Sequence, residues 1–208
     1  MNNNIVITIG RQYGSGGHEI GKKLAEKMGV KCYDKELIEI AAKDSGLCEE
    51  IFDRQDEKPS NSLLYSLVMD TYSFGYSDTY NEMPINQKVF LAQFETIKKL
   101  AEQESCVIVG RCADYALEDM TNAFSVFITA PMSSRVARIM ERCKVEAKKA
   151  ESMIHKTDKK RASYYDYYTD KKWGHAASYD LCINSAELDI DGTVDMIMKF
   201  AEAKKNKA

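Results

Sequence analysis

Apolar residues fall along the chain in two patterns that take turns. Short unbroken runs at 5–9 (Ile-Val-Ile-Thr-Ile), 106–109 (Cys-Val-Ile-Val), 124–129 (Phe-Ser-Val-Phe-Ile-Thr) and 179–184 (Tyr-Asp-Leu-Cys-Ile-Asn) read as strands covered on both faces. Lys31-Cys32-Tyr33 is a shorter strand candidate. Between them apolar positions recur at helical spacing: Ile20 and Leu24 within 19–28, and Leu37, Ile38 and Ala41 within 35–43. The spacing also predicts helices over 86–104, 133–143 and 193–203. Gly29 suits a C-cap and Asp34 an N-cap. Strands alternating with helices predict an α/β fold of three layers, a parallel sheet with helices on both faces. Residues 44–84 break the pattern. They are rich in tyrosine and phenylalanine, and read equally as a subdomain over a cleft or as a surface helical pair with a tyrosine-rich loop.

The chain has 208 residues, enough for one domain (1–208) with its own core. A net charge of -3 gives no basic field, so neither nucleic acid nor membrane is expected as a partner. The run 5–9 is too short for a signal sequence or a bilayer span. The 6 cysteines form no CxxC or Cys/His pairing, which argues for reduced thiols in a cytoplasmic setting and no protein-bound metal.

Directly after the first strand stands Gly10-Arg-Gln-Tyr-Gly14-Ser15-Gly16-Gly17-His18, followed by a helix. A strand, a glycine turn and a helix start form an anion site, because free N–H groups and the helix dipole point at the ligand. Arg11, Gly14, Ser15, Gly16, Gly17 and His18 are therefore the candidates for holding nucleotide phosphates. Set against the phosphate-loop pattern G-x-x-x-x-G-K-[ST], Gly17 stands where lysine belongs and His18 where the hydroxyl belongs. Gly10, Gly14 and Gly16 also match the G-x-x-x-G-x-G turn of short-chain oxidoreductases, and Tyr167/Lys171 or Tyr168/Lys172 would supply their Tyr-x-x-x-Lys pair. No apolar strand precedes that pair, and too little chain follows it to complete such a fold.

Several segments in order resemble the bacterial cytidylate kinases, and most closely the cytidylate kinase-like proteins. They are Cys106-Val-Ile-Val-Gly110-Arg111-Cys-Ala-Asp114, then Phe124 to Ala130 leading to Ser133-Ser-Arg135-Val-Ala-Arg138, then Asp158-Lys159-Lys160-Arg161, then Tyr179 to Ser185. The resemblance implies a P-loop kinase fold with a helical lid at about 144–172 and an acceptor-side subdomain at about 44–84. It implies phosphoryl transfer from ATP or another nucleoside triphosphate with Mg²⁺, to a small acceptor such as a nucleoside monophosphate. Three departures stand out: no phosphate-loop lysine, Val109 in place of an acidic strand end, and Lys35-Glu36-Leu37 after Asp34 in place of the family's Asp-Ser-Gly. Cytidine specificity is thus not implied.

Roles follow from phosphoryl-transfer chemistry, which needs positioning and charge neutralisation. Asp34, Arg111 and Arg161 are the catalytic candidates. Asp34 would orient the acceptor or a metal-bound water, or else cap a helix. Arg111, Asp114, Arg138 and Lys160 are the acceptor-side candidates, with Arg111 gripping a phosphate through its planar fork or merely pairing with Asp114 or a neighbour. Residues 144–172 are expected to be too charged to be core. Tyr164, Tyr165 and Trp173 would stack on a base or pack the lid against the body. A chain that binds phosphate without transferring it, as a sensor or regulator, is the alternative, followed by an NAD(P)-dependent oxidoreductase.

Overall fold

The computed structural model describes residues 4–46, 51 and 83–205. Most of the aromatic stretch expected to form an acceptor-side subdomain lies outside the described residues.

Five parallel strands form one sheet in the order β2-β3-β1-β4-β5. They are β1 (Val6–Arg11), β2 (Lys31–Tyr33), β3 (Cys106–Val109), β4 (Ala123–Thr129) and β5 (Leu181–Asn184). The helices are α1 (Gly17–Met28), α2 (Glu36–Ser45), α3 (Ile85–Gln103), the short α4 (Ala113–Ala116), α5 (Met132–Cys143), α6 (Ala147–Tyr168) and α7 (Ser185–Lys205). The dinucleotide fold of oxidoreductases sets its first two strands side by side. Here β3 separates β1 from β2, which counts against the oxidoreductase reading.

Alternation along β1 shows how the layers form. Ile5, Ile7 and Ile9 face α1 and α7, in a core with Ile20, Leu24, Val194 and Ile197. Val6 faces the other way, joining Leu37 of α2, Ile97 and Leu100 of α3, and Ala113 of α4. Each such aliphatic side chain contributes about 1.5–3 kcal/mol by leaving water, and the buried Thr8 of the same strand donates its hydroxyl to the Phe124 carbonyl at 3.4 Å.

Two expectations are corrected. The segment 144–172 is not excluded from the core: Ala150, Ile154, Tyr164, Tyr165 and Tyr168 of α6 are buried. Tyr168 stacks on Phe90 of α3 with ring centroids 4.1 Å apart, and Tyr165 meets Tyr179 at 6.0 Å. Most of the charges lie on the outer side of the helix, with Asp158 and Arg161 turned inward, and the helix packs against the body as Tyr164 and Tyr165 allowed. The last helix begins at Ser185 rather than 193, with a break at Asp189, whose φ of 54° and ψ of -169° interrupt the helical path.

Candidate active site

Register brings the chemistry to one sheet edge. Ile9 pairs with Val109 and Tyr33 with Ile108, so Gly10-Arg11, Asp34 and Gly110-Arg111 leave the carboxyl ends of three neighbouring strands together. Ligands of open α/β sheets bind at that edge.

The loop between β1 and α1 is held from below. Gln12 donates its N–H to the Ile128 carbonyl at 3.0 Å, and its Oε1 accepts from the Thr129 hydroxyl at 2.6 Å. Ser15 is fully buried. Its hydroxyl donates to the Gln12 carbonyl, and its carbonyl accepts from Ser185 at 2.6 Å. Ser15 is therefore a brace inside the loop and not a phosphate contact of its hydroxyl. Gly16 takes φ of 85° at the helix N-cap, a left-handed conformation that glycine adopts without steric cost. The N–H groups of Gly14, Gly16, Gly17 and His18 have no hydrogen-bond partner among the described residues.

Those glycines and His18 line a cleft of about 700 Å³ whose other walls carry Arg11, Arg138, Arg142, Lys144 and Arg161. Arg138 is half-buried and lies 3.9 Å from Glu19. Tyr13 lies between two cations, with Arg142 5.1 Å and Arg161 5.9 Å from its ring centroid. Arg161 also donates to the Arg11 carbonyl at 3.1 Å, tying α6 to the end of β1. Lys160 lies on the exposed side of α6 and lines none of these walls, so it does not join the site.

Asp34 is the hub of the strand edge. It accepts from Arg111 Nη1 through one oxygen and from His18 Nδ1 at 2.6 Å through the other. Burial alone would push its carboxyl up, but the Arg111 and Arg11 guanidinia, with the hydrogen bonds from Arg111 and His18, outweigh that and hold it below the usual range. The expected cap is corrected: Lys35 occupies the cap of α2, and no side chain caps it. Of the ion pairs expected for Arg111, the one with a neighbouring carboxylate is present, to Asp34, and the one with Asp114 is not. Arg111, buried, also donates to the Val109 carbonyl at 3.0 Å. Asp114 instead accepts from the Tyr165 hydroxyl at 2.5 Å, and burial pushes its carboxyl up. Gly110, Arg111 and Cys112 all have positive φ, at 81°, 54° and 54°. Two consecutive non-glycine residues there are costly, and such strain concentrates where a side chain must be aimed.

Beneath α6 a second, narrow space of about 20 Å³ is walled by Arg111, Asp114, Tyr164, Tyr165, Trp173 and Tyr179, among others. A separate groove of about 420 Å³ reaches Thr8, Ser125 and Asp180; of the candidate site residues it includes only Asp114. Among the described residues no three His, Cys, Asp or Glu side chains converge as metal ligands. Asp34 is the carboxylate at the strand edge, and any Mg²⁺ there would take most of its ligands from bound phosphates.

The profile of the cytidylate kinase-like family matches residues 6–187. The chain belongs to the cytidylate kinase-like family. Among curated proteins it is 28% identical to the cytidylate kinase of Archaeoglobus fulgidus over 97% of each chain. It is 26% identical to that of Methanocella arvoryzae, over 97% of this chain and 99% of that one. An uncharacterized protein from Eubacterium ventriosum superposes with a TM-score of 0.73 at 35% identity, covering 96% of this chain and 99% of that one. Shikimate kinase from Bacteroides thetaiotaomicron superposes with a TM-score of 0.54 at 17% identity, covering 95% and 98%, and shares the fold alone. The fold is of the P-loop kinase type, and family and fold are those of small phosphotransferases.

Within this family frame, sequence reasoning missed two residues. Asp158, counted among the basic lid residues around it, accepts from the Tyr13 N–H at 2.7 Å and from Arg135 at 2.5 Å. Arg135, seen only as part of a motif, is the buried arginine of α5. An acid among Lys159, Lys160 and Arg161 was the available signal, since an acid in a basic run calls for a specific partner.

Proposed function

We propose that the protein is a nucleotide-dependent phosphotransferase of the nucleoside-monophosphate-kinase type, acting on a small acceptor in the cytoplasm. ATP or another nucleoside triphosphate with Mg²⁺ would lie in the 700 Å³ cleft, with its phosphates on the amides of Gly14, Gly16, Gly17 and His18. The observation that carries this reading is those four unpartnered N–H groups at a helix start, inside a cleft whose walls carry six cationic side chains against three carboxylates. Arg138 and Arg142 flank the donor, and Arg111 receives the acceptor phosphate. Asp34 and the Val109 carbonyl hold the Arg111 guanidinium at the strand edge, where it would meet the acceptor phosphate.

In the transfer an acceptor oxygen attacks the terminal phosphorus. The bond from that phosphorus to the bridging oxygen breaks, and the nucleoside diphosphate leaves with the bridging oxygen. Arg161, anchored on the Arg11 carbonyl, supplies positive charge from α6, which acts as the lid over the cleft. Asp34, held ionised, orients Arg111 and His18 at the strand edge. Asp114 and the tyrosines of α6 shape the acceptor end.

Melting curves with ATP, GTP and a panel of nucleoside monophosphates, each with and without Mg²⁺, test the two-ligand architecture. A triphosphate and at least one monophosphate should each raise the midpoint, and together raise it further. Stabilisation by triphosphates alone would favour the second reading, a phosphate-binding regulator without transfer, which the absent lysine at Gly17 supports. No stabilisation by any nucleotide would contradict both.

A further inference from the structure

The place of the missing phosphate-loop lysine has a specific occupant. A Cβ built on Gly17 would lie 2.4 Å from the Cβ of Arg11 and 2.9 Å from its Cγ. Unbonded carbons do not approach that closely, so with Arg11 in place residue 17 has no room for a side chain. Arg11 ends β1 and points to the α1 side of the sheet, in step with Ile7 and Ile9. It is 8% exposed, yet it borders the large cleft. It also borders the narrow space beneath α6. Among the described residues, only Arg11 and Arg161 line both.

A phosphoryl group leaving the large cleft toward the strand edge that carries Arg111 would pass Arg11 with its negative charge spread over its oxygens. A lysine projected from the start of α1 would reach that place from one side. Arg11 reaches it from the strand end, one element earlier, and brings a guanidinium that stays charged and offers several donors. The backbone of Gly17 is then left bare, free to approach the phosphates closely.

We propose that Arg11 is the phosphate-loop cation of this protein, contacting the terminal phosphate of the donor in place of the absent lysine, with Gly17 as its steric counterpart. This rests on the phosphotransferase reading above, but it is separable from it by experiment.

Arg11→Gln keeps much of the side chain's bulk and removes the charge, and a melting curve establishes that the variant folds. Isothermal titration is then run with ATP, AMP and inorganic tripolyphosphate against both proteins. The variant should bind ATP and tripolyphosphate about ten- to a hundredfold more weakly, with AMP affinity unchanged. Equal ATP affinity in a folded variant overturns the proposal, as does an equal loss for AMP, which would signal a merely structural residue. Transfer assays on the wild type separate the two claims. A wild type that transfers nothing, beside a variant that loses ATP selectively, removes the kinase reading and keeps Arg11. A wild type that transfers, beside a variant that turns over equally well, does the reverse. A swap completes the test. Gly17→Lys alone should lose both stability and ATP binding. In Arg11→Gly with Gly17→Lys the clash is gone, so the pair should bind ATP better than either single change. A double variant no better than Gly17→Lys would refute the steric coupling.

Discussion

Replacing Asp158 with asparagine should destabilise the protein well beyond the loss of any exposed ion pair. The Asp158 carboxylate accepts from the Tyr13 N–H at 2.7 Å and from Arg135 Nη1 at 2.5 Å, so it ties α6 to both α5 and the phosphate loop. The side chains are 7% exposed for Arg135 and 16% for Asp158, and Arg135 Nε has no hydrogen-bond partner among the described residues. Asparagine keeps one oxygen acceptor but removes the counter-charge from a buried guanidinium. Breaking a buried pair in this way costs about 3–5 kcal/mol, and the retained oxygen and partial exposure favour the lower end. At ~2–4 °C per kcal/mol for a chain of this size, the midpoint should fall by roughly 6–12 °C. The control is Asp195→Asn, which removes the Lys27–Asp195 pair, whose side chains are 52% and 55% exposed, and should leave the midpoint nearly unchanged. Thermal unfolding followed by circular dichroism reads both. An Asp158→Asn midpoint no lower than that of the control would refute the reasoning. Replacing the pair together, Arg135→Met with Asp158→Leu, should cost much less than the sum of the single changes, because neither leaves a buried charge behind.

Three further outcomes follow from the site and the core. Burial pushes the Asp114 carboxyl up, so its native pKa exceeds the unfolded one, and stability is lost as pH rises through the range between them. Asp114→Asn should therefore raise the melting midpoint at pH 7, and that gain should shrink as pH falls toward the unfolded value of about 4 and be gone below it; a midpoint unchanged or lowered at pH 7 would contradict this. Arg111→Ala should weaken acceptor binding by about ten- to a hundredfold with donor binding nearly intact, and lysine should rescue only in part. The same change removes the guanidinium that holds Asp34 low, so acid unfolding should move to higher pH; equal loss of both ligands would mark Arg111 as a brace only. Phe90→Ala removes the stacking partner of Tyr168 from a fully buried cluster and should cost about 3–5 kcal/mol in urea unfolding; a loss below about 1 kcal/mol would mean that α6 is not held there.

The strands were legible because a parallel strand covered on both faces must be an unbroken apolar run, and 106–109 is one from end to end. The phosphate loop was legible because four glycines after a buried strand have few other uses. The burial of α6 was not. Tyr164, Tyr165 and Tyr168 sit among lysines and aspartates, and only their partners Phe90 and Tyr179, distant in sequence, reveal an inner face. The partner of Arg111 was hidden for a topological reason. Asp34 lies 77 residues away, and nothing in the sequence sets β2 against β3; once Tyr33 pairs with Ile108, the two side chains become neighbours. Asp114 is close in sequence, yet the left-handed turn at Arg111 and Cys112 sends it beneath Tyr165 instead. The role of Gly17 was equally hidden, since only the placement of Arg11 shows why lysine has no room there.

Phosphorus NMR of the purified protein with ATP, Mg²⁺ and each nucleoside monophosphate in turn follows the reaction atom by atom. With at least one acceptor, ADP and a second nucleoside diphosphate should appear in equal amounts, and Arg111→Ala should slow their formation. Intact ATP with every acceptor, from a protein whose melting curve shows that it binds ATP, would contradict phosphoryl transfer and leave a phosphate-binding protein.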